Sequence, residues 1–158
     1  CSNKTVDAIK EVSAATSTLN SMVEEYCASI LTIPDLLKIQ KQSEYLEEAT
    51  EAAAHQVKEC KPFSQQESLS VAETTLALVP LINSTLNTIV SKKYQFDHAI
   101  LKIGSASGLV KKDLINLKEA TDHFASSLSK KIDSSLLGYL NIAVGEIDGW
   151  FKSAIEHY

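Results

Sequence analysis

The sequence predicts an all-α protein, a five-helix antiparallel bundle enclosing a long central apolar cavity. Three observations carry this expectation. Apolar residues recur at intervals of three and four along almost the whole chain, the period of a helix with one buried face. Glycine (5) and proline (3) are scarce in 158 residues, which disfavours a turn-rich β architecture. Aromatic residues make up only 6%, and many inward positions are threonine or serine, so the core between the helices is under-filled. The length suits one domain over residues 1–158, and 44% hydrophobic content excludes a disordered chain.

The first helix is expected from about Thr5 to Ile30. Its apolar stripe holds Ile9, Val12, Thr16, Leu19 and Val23. Pro34, with Thr32 as cap and Asp35 near the positive end, starts a second helix, whose stripe includes Ile39, Ser43, Leu46, Thr50 and Val57. Ser64-Gln65-Gln66-Glu67 is a capping-box pattern and opens a third helix. That helix contains VAETTLALVPLINSTLNTIV (71–90), the most apolar stretch in the chain, with Leu76, Val79, Ile82, Leu86 and Val90 near one face and Pro80 in the middle. Proline bends or breaks a helix interior, so Pro80 is expected to bow one wall outward.

Residues 92–108 fit either an extension of the third helix or a short separate one bearing Tyr94, Phe96, Ile100, Leu101 and Ile103; GSASG (104–108) reads as a loop. Ser105 or Ser107 can cap a fourth helix with Leu114, Leu117, Thr121, Phe124 and Leu128, and the Ser126-Ser127 pair flanks this stripe. Asp133 or Ser134 can cap a fifth with Leu140, Val144, Ile147 and Phe151. No strand pattern competes.

Composition excludes several function classes. Net charge is −5, and all fifteen basic residues are lysine. Arginine is the preferred residue for bidentate phosphate and guanine contacts, so nucleic acid is not an expected partner. No apolar run approaches the ~20 residues of a membrane span. GSASG lacks the central serine of a nucleophile elbow and no strand precedes it. Asp97-His98 and Asp122-His123 are adjacent in helices and diverge by about 100°, and no histidine pair has the spacing of a zinc helix, so neither catalysis nor a metal is expected and no cofactor is implied. Lys92-Lys93, Lys111-Lys112 and Lys130-Lys131 read as solvated helix ends. The chain starts at Cys1, as a processed piece would. Asn3-Lys4-Thr5 and Asn83-Ser84-Thr85 are sequons, placing candidate glycans on Asn3 and Asn83.

Three cysteines leave at least one free or paired outside the chain. If the first two helices form a hairpin turning near Thr32, residue 60 returns to the start of the chain. Cys1 with Cys60 is then the favoured bridge if one forms, and Cys27 is left as a small buried apolar residue.

The interior itself suggests chemistry. Each inward hydroxyl can bond the carbonyl one turn back. An apolar tunnel with a few such hydroxyls suits a long-chain fatty acid, and burying ~14 methylenes at about 0.8 kcal/mol each supplies ~11 kcal/mol gross. The residues expected to line it are Thr16, Leu19 and Val23 on the first helix, Leu46 and Thr50 on the second, and Leu76, Val79 and Leu86 on the third. Leu117, Thr121, Phe124 and Leu128 continue it on the fourth, and Leu140, Val144, Ile147 and Phe151 on the fifth. With arginine absent, the carboxylate is expected on hydroxyls, Ser127 first and Ser126 or Thr121 behind it. The competing site is a tunnel mouth where a lysine meets the head group in water.

The segment LVKKDLINLKEATDHFASSLSKKI, followed by IDGWFKSAIEHY, resembles the fungal cell-wall galactomannoprotein family, also called the hydrophobic surface binding protein A family. The resemblance is carried by Leu114, Leu117-Lys118, Thr121, Phe124, Leu128 and Lys131, by Phe151, Ala154-Ile155 and Tyr158 at the end, and by SQQES and PLI earlier. It implies a secreted, wall-associated helical domain whose apolar cavity takes long-chain fatty acids such as palmitic or arachidonic acid, and which captures host signalling lipids. The three cysteines depart from the family pattern. Two other readings compete: an adhesion module that coats hydrophobic solids or recruits hydrolases, and a secreted helical-bundle enzyme inhibitor. The wide spacing of Cys1 and Cys27 disfavours the inhibitor.

Overall fold

The computed structural model describes residues 1–101 and 104–158. Five long helices dominate: α1 (Ser2–Glu25), α2 (Ile33–Lys58), α3 (Gln65–Ser91), α5 (Ala106–Ser129) and α6 (Ser134–His157). A short α4 (Lys93–His98) and a two-residue antiparallel pair, β1 (Ile100–Leu101) with β2 (Gly104–Ser105), lie between α3 and α5. The bundle is all-helical in its long elements as expected, with α4 as the sixth helix. The residues read as a loop at 104–108 instead divide between β2 and the first turn of α5. Gly104 has φ +120°, a conformation side chains disfavour. Ile103, placed with this segment by its apolar character, lies outside the described residues.

The packing order forms a ring. α1 packs on α2 and α3, α2 on α5, α5 on α6, and α6 returns to α3. Helix axes pack 8–10 Å apart. A closed pentagon of such neighbours puts each axis roughly 7–8.5 Å from the centre, too far for short side chains to meet across the middle. The under-filled interior therefore follows from five helices plus small inward residues.

The two ends of the ring are tied differently. At one end Cys1 and Cys60 form a disulfide, with Cα atoms 5.8 Å apart. There the Phe63 amide donates to the Lys131 carbonyl at 2.8 Å, and the Asp133 amide to Ser68 Oγ at 2.8 Å. At the other end Tyr26 stacks on Phe96, ring centroids 5.2 Å apart, and Lys92 Nζ donates to the Tyr26 carbonyl at 2.9 Å. Tyr158 hydroxyl donates to the Ile89 carbonyl, and burial pushes that phenol upward.

Several expectations change. α1 ends at Glu25, so Cys27 lies on the α1–α2 connection and is exposed, not buried. Tyr26 takes the last core position instead. The lysines at 92 and 93 are half-buried, and Lys93 pairs with Asp97 at 2.8 Å. Finally, α3 is long and apolar enough to cross a membrane by length and composition, against the expectation that no run approaches that length. Only 28% of that apolar stretch is buried. α3 belongs to the ring nonetheless, packed on α1 and α6, and carries apolar residues on both its inner and outer faces.

Candidate functional site

The inner face of α3 is set by Val71, Leu78, Ile82, Thr85, Leu86 and Ile89, all buried. Leu76, two residues from Leu78, is turned about 200° away on a helix and is 52% exposed. The inward stripe is thus rotated from the sequence expectation, and Leu76 does not face the interior.

Inside the ring lies a central chamber of about 50 Å³. All five long helices supply its wall: Val12, Thr16 and Leu19 from α1; Leu46 and Thr50 from α2; Ile82 and Leu86 from α3; Leu117, Thr121 and Phe124 from α5; and Phe151 from α6. A second void of about 40 Å³ adjoins it between α3, α5 and α6. The two share Leu78, Ile82, Thr121 and Phe124. Val79, Leu140, Val144 and Ile147 line this second void.

The structure therefore brings together most of the anticipated residues, with exceptions. Leu76 and Leu128 line an outer groove. Val23 is buried, but lines none of these spaces. Ser126 is exposed, and Ser127 is buried with its hydroxyl donated to the His123 carbonyl at 2.9 Å. Sequence reasoning missed Leu78, Thr85 and Ile89. Thr85 was hidden in a sequon, and Leu78 and Ile89 fell off the stripe because its phase was misjudged.

The chamber's polarity is decided by its threonines. Thr16 donates to the Val12 carbonyl at 2.7 Å, Thr50 to Leu46 at 2.8 Å, Thr85 to Leu81 at 2.7 Å and Thr121 to Leu117 at 2.7 Å. Every hydroxyl proton is committed to the helix, one turn back. What faces the chamber can accept a hydrogen bond but not donate one. Burying a bare carboxylate there would cost several kcal/mol, so the chamber suits hydrocarbon.

Charge enters only at the second void. Among the described residues, Asp122 and Asp148 are the charged groups lining the two voids. Lys118 Nζ lies 2.8 Å from Asp122 and 3.7 Å from Asp148. Burial, then the hydrogen bond and charge of Asp122, push the Asp148 carboxyl up to about 6. Burial also opposes ionisation of Asp122, but hydrogen bonds from Asp148 and Lys118 outweigh it and hold that carboxyl below the usual range. The two carboxyls therefore titrate as an interacting pair. No cluster of metal-ligating side chains occurs among the described residues.

Three solved structures share this architecture. Afmp4p in complex with palmitic acid is 25% identical, with 99% of each chain covered and a TM-score of 0.92. Ligand binding domain 2 of Penicillium marneffei MP1 protein in complex with arachidonic acids is 19% identical, over 96% of this chain and 89% of that one, at a TM-score of 0.84. Domain 1 of the same protein, complexed with arachidonic acids, is 18% identical over 96% and 93%, at 0.83. The two domains speak for the fold alone. No curated protein matches the chain by sequence. A family model, hydrophobic surface binding protein A, matches residues 3–130, and with the ring of helices and its apolar chamber in place, the chain belongs to the hydrophobic surface binding protein A family.

Proposed function

We propose that this chain binds long-chain fatty acids without catalysis, as one domain over residues 1–158 of a secreted, wall-associated fungal protein. The observation that carries the reading is the central chamber: apolar, contributed by all five long helices, with its threonine hydroxyls turned into acceptors. Family membership and the likeness to Afmp4p bound to palmitic acid support it. Capture of signalling lipids from a host is the role this binding would serve.

The chamber is small. It holds about 50 Å³, whereas ligand pockets run to roughly 300–1,000 Å³. Binding therefore requires the helices to separate. Burial of the acyl chain at about 0.8 kcal/mol per methylene drives that expansion. The carboxylate stays at the periphery, because the chamber offers it no donor; the half-buried Lys118 beside the second void is the lysine positioned to meet it. This favours the mouth over Ser127 as head-group site. Of the two sequons, Asn3 is exposed and Asn83 half-buried, while the threonines of both, Thr5 and Thr85, are buried in helices.

Calorimetric titration of delipidated protein with palmitate tests the reading, and saturable binding is expected. Val144→Phe fills the second void and should weaken palmitate at least tenfold, about 1.4 kcal/mol, with no loss of melting temperature. Parent-like affinity together with a lower melting temperature would mean that the interior is solid. The adhesion reading has its own observation in Ile30 and Leu31, 83% and 86% exposed at the α1–α2 turn; adsorption to hydrophobic beads with no palmitate binding would favour it.

A further inference from the structure

We infer that the groove between α3 and α6 is the outer station of the acyl path, where a single unbranched lipid chain is held before it threads into the bundle; this rests on the fatty-acid reading above. The groove encloses about 270 Å³, several times either inner void. Leu69 and Leu76 of α3 form one bank, Leu136 and Tyr139 of α6 the other, and Leu128 and Ile132 form the floor. Leu76 and Tyr139 are 52% and 70% exposed, so hydrocarbon wall is open to water along the seam.

The groove abuts the interior. Thr75, Leu140 and Ala143 line both the groove and the second void. Leu78, Ile82, Thr121 and Phe124 line both the second void and the central chamber. Three apolar spaces thus stand in series, each separated from the next by one layer of side chains.

The seam also lies between the two helices with the weakest backbones. Pro80 has no N–H, so the Leu76 carbonyl, on the groove itself, lacks its helical partner. α6 carries Gly138, Gly145 and Gly149, at each of which a Cβ would meet nothing within 4 Å, and glycine weakens a helix interior. A bundle that must swell to bind parts most readily here.

The lining also sets the occupant and its direction. Among the described residues its one charged group is Glu73, and the Thr75 hydroxyl donates to the Val71 carbonyl at 2.8 Å. Apart from the Tyr139 phenol on the exposed outer bank, no side chain in the groove donates to a carboxylate, and Glu73 repels one. The chain therefore enters methyl end first, with its head group trailing in water.

Stopped-flow mixing with cis-parinaric acid, a fluorescent fatty acid with an unmodified chain, tests this. Leu76→Glu combined with Tyr139→Glu puts charge on both banks of the entrance while leaving the chamber intact. Association is expected to slow at least fivefold, dissociation by the same factor, and Kd to stay within threefold. Pro80→Ala restores the missing hydrogen bond and should also slow both rates, which keeps the inference testable if the charged variant melts early. Leu31→Glu, at the far end of the bundle, should leave the rates unchanged. Parent-like rates in both seam variants would overturn the inference, as would slowing by Leu31→Glu alone. If the parent itself shows no saturable cis-parinaric acid binding, it is the fatty-acid reading that fails, a separate result.

Discussion

Cys27 shows how much depends on where one helix stops. The periodicity of α1 runs on to Tyr26, which is buried against Phe96, and the next residue is already outside. An exposed thiol is open to reagents regardless of the disulfide elsewhere. Ellman's reagent should therefore titrate one thiol per native chain, and Cys27→Ser should abolish the signal; a thiol that appears only in denaturant would put residue 27 back in the core. Asp113 is the other residue out of balance. Burial, and then the nearby Glu44 and Glu47 charges, push its carboxyl up to about 6, against the help of Gln40, whose Nε2 donates to it at 3.0 Å. A carboxyl whose folded value is raised is destabilising once ionised: the penalty is full above pH 6 and fades as pH falls towards the unfolded value near 4. Asp113→Asn keeps the acceptor for Gln40 and removes the charge. It should stabilise by about 1–2 kcal/mol at pH 7.5, with the gain vanishing by pH 4. Chemical denaturation at both pH values measures this, and an equal gain at both would exclude ionisation as the cause.

At the scale of elements, helix starts are the most local features and were read correctly where side chains close them. Ser64 Oγ accepts from the Glu67 amide at 3.2 Å, and Glu67 accepts from the Ser64 amide at 2.9 Å. The backbone bond from Ser64 is the leading reason the Glu67 carboxyl lies below its usual value. Stability from that bond is present above the unfolded value and is lost as pH falls through the lower folded one. Ser64→Ala should cost about 1 kcal/mol, visible as a lower urea midpoint with unchanged slope; no change would mean the cap is idle. Thr32 was expected to cap α2 with its side chain and makes no such bond. Its hydroxyl instead donates to the Cys27 carbonyl at 2.7 Å and accepts from the Ser29 amide at 2.9 Å, closing the single 3₁₀ turn at Ile30–Thr32.

For the whole molecule, the ring is the governing fact. It makes the chamber, and it needs its ends held while the middle gives way. The Cys1–Cys60 bridge, spanning a separation of 59 residues, clamps the end where the chain starts and the α2–α3 and α5–α6 connections meet. Closing a loop of that length removes unfolded-state entropy worth about 4 kcal/mol. Cys1→Ser with Cys60→Ser should lower unfolding free energy by roughly that amount and still leave palmitate binding in the folded fraction, because neither residue lines the path. Loss of binding at temperatures where the helices persist would place the clamp within the site.

The sequence by itself determined the helices, their number among the long elements, and the excess of small hydroxylated residues, because these depend on spacing and on bonds within one or two turns. Thr16, Thr50 and Thr121 behave as local chemistry dictates, each bonded one turn back. Only the tertiary structure decided which face of α3 points inward, since an amphipathic stripe with apolar residues on both sides has no unique phase until neighbours cover one of them. Leu78 and Ile89 went inside and Leu76 outside for that reason. It also decided the head-group side: Ser127 is buried but bonded to its own helix, and Lys118 sits between two acids from different helices. Such a cluster is a meeting across α5 and α6, and no spacing along one chain segment records it.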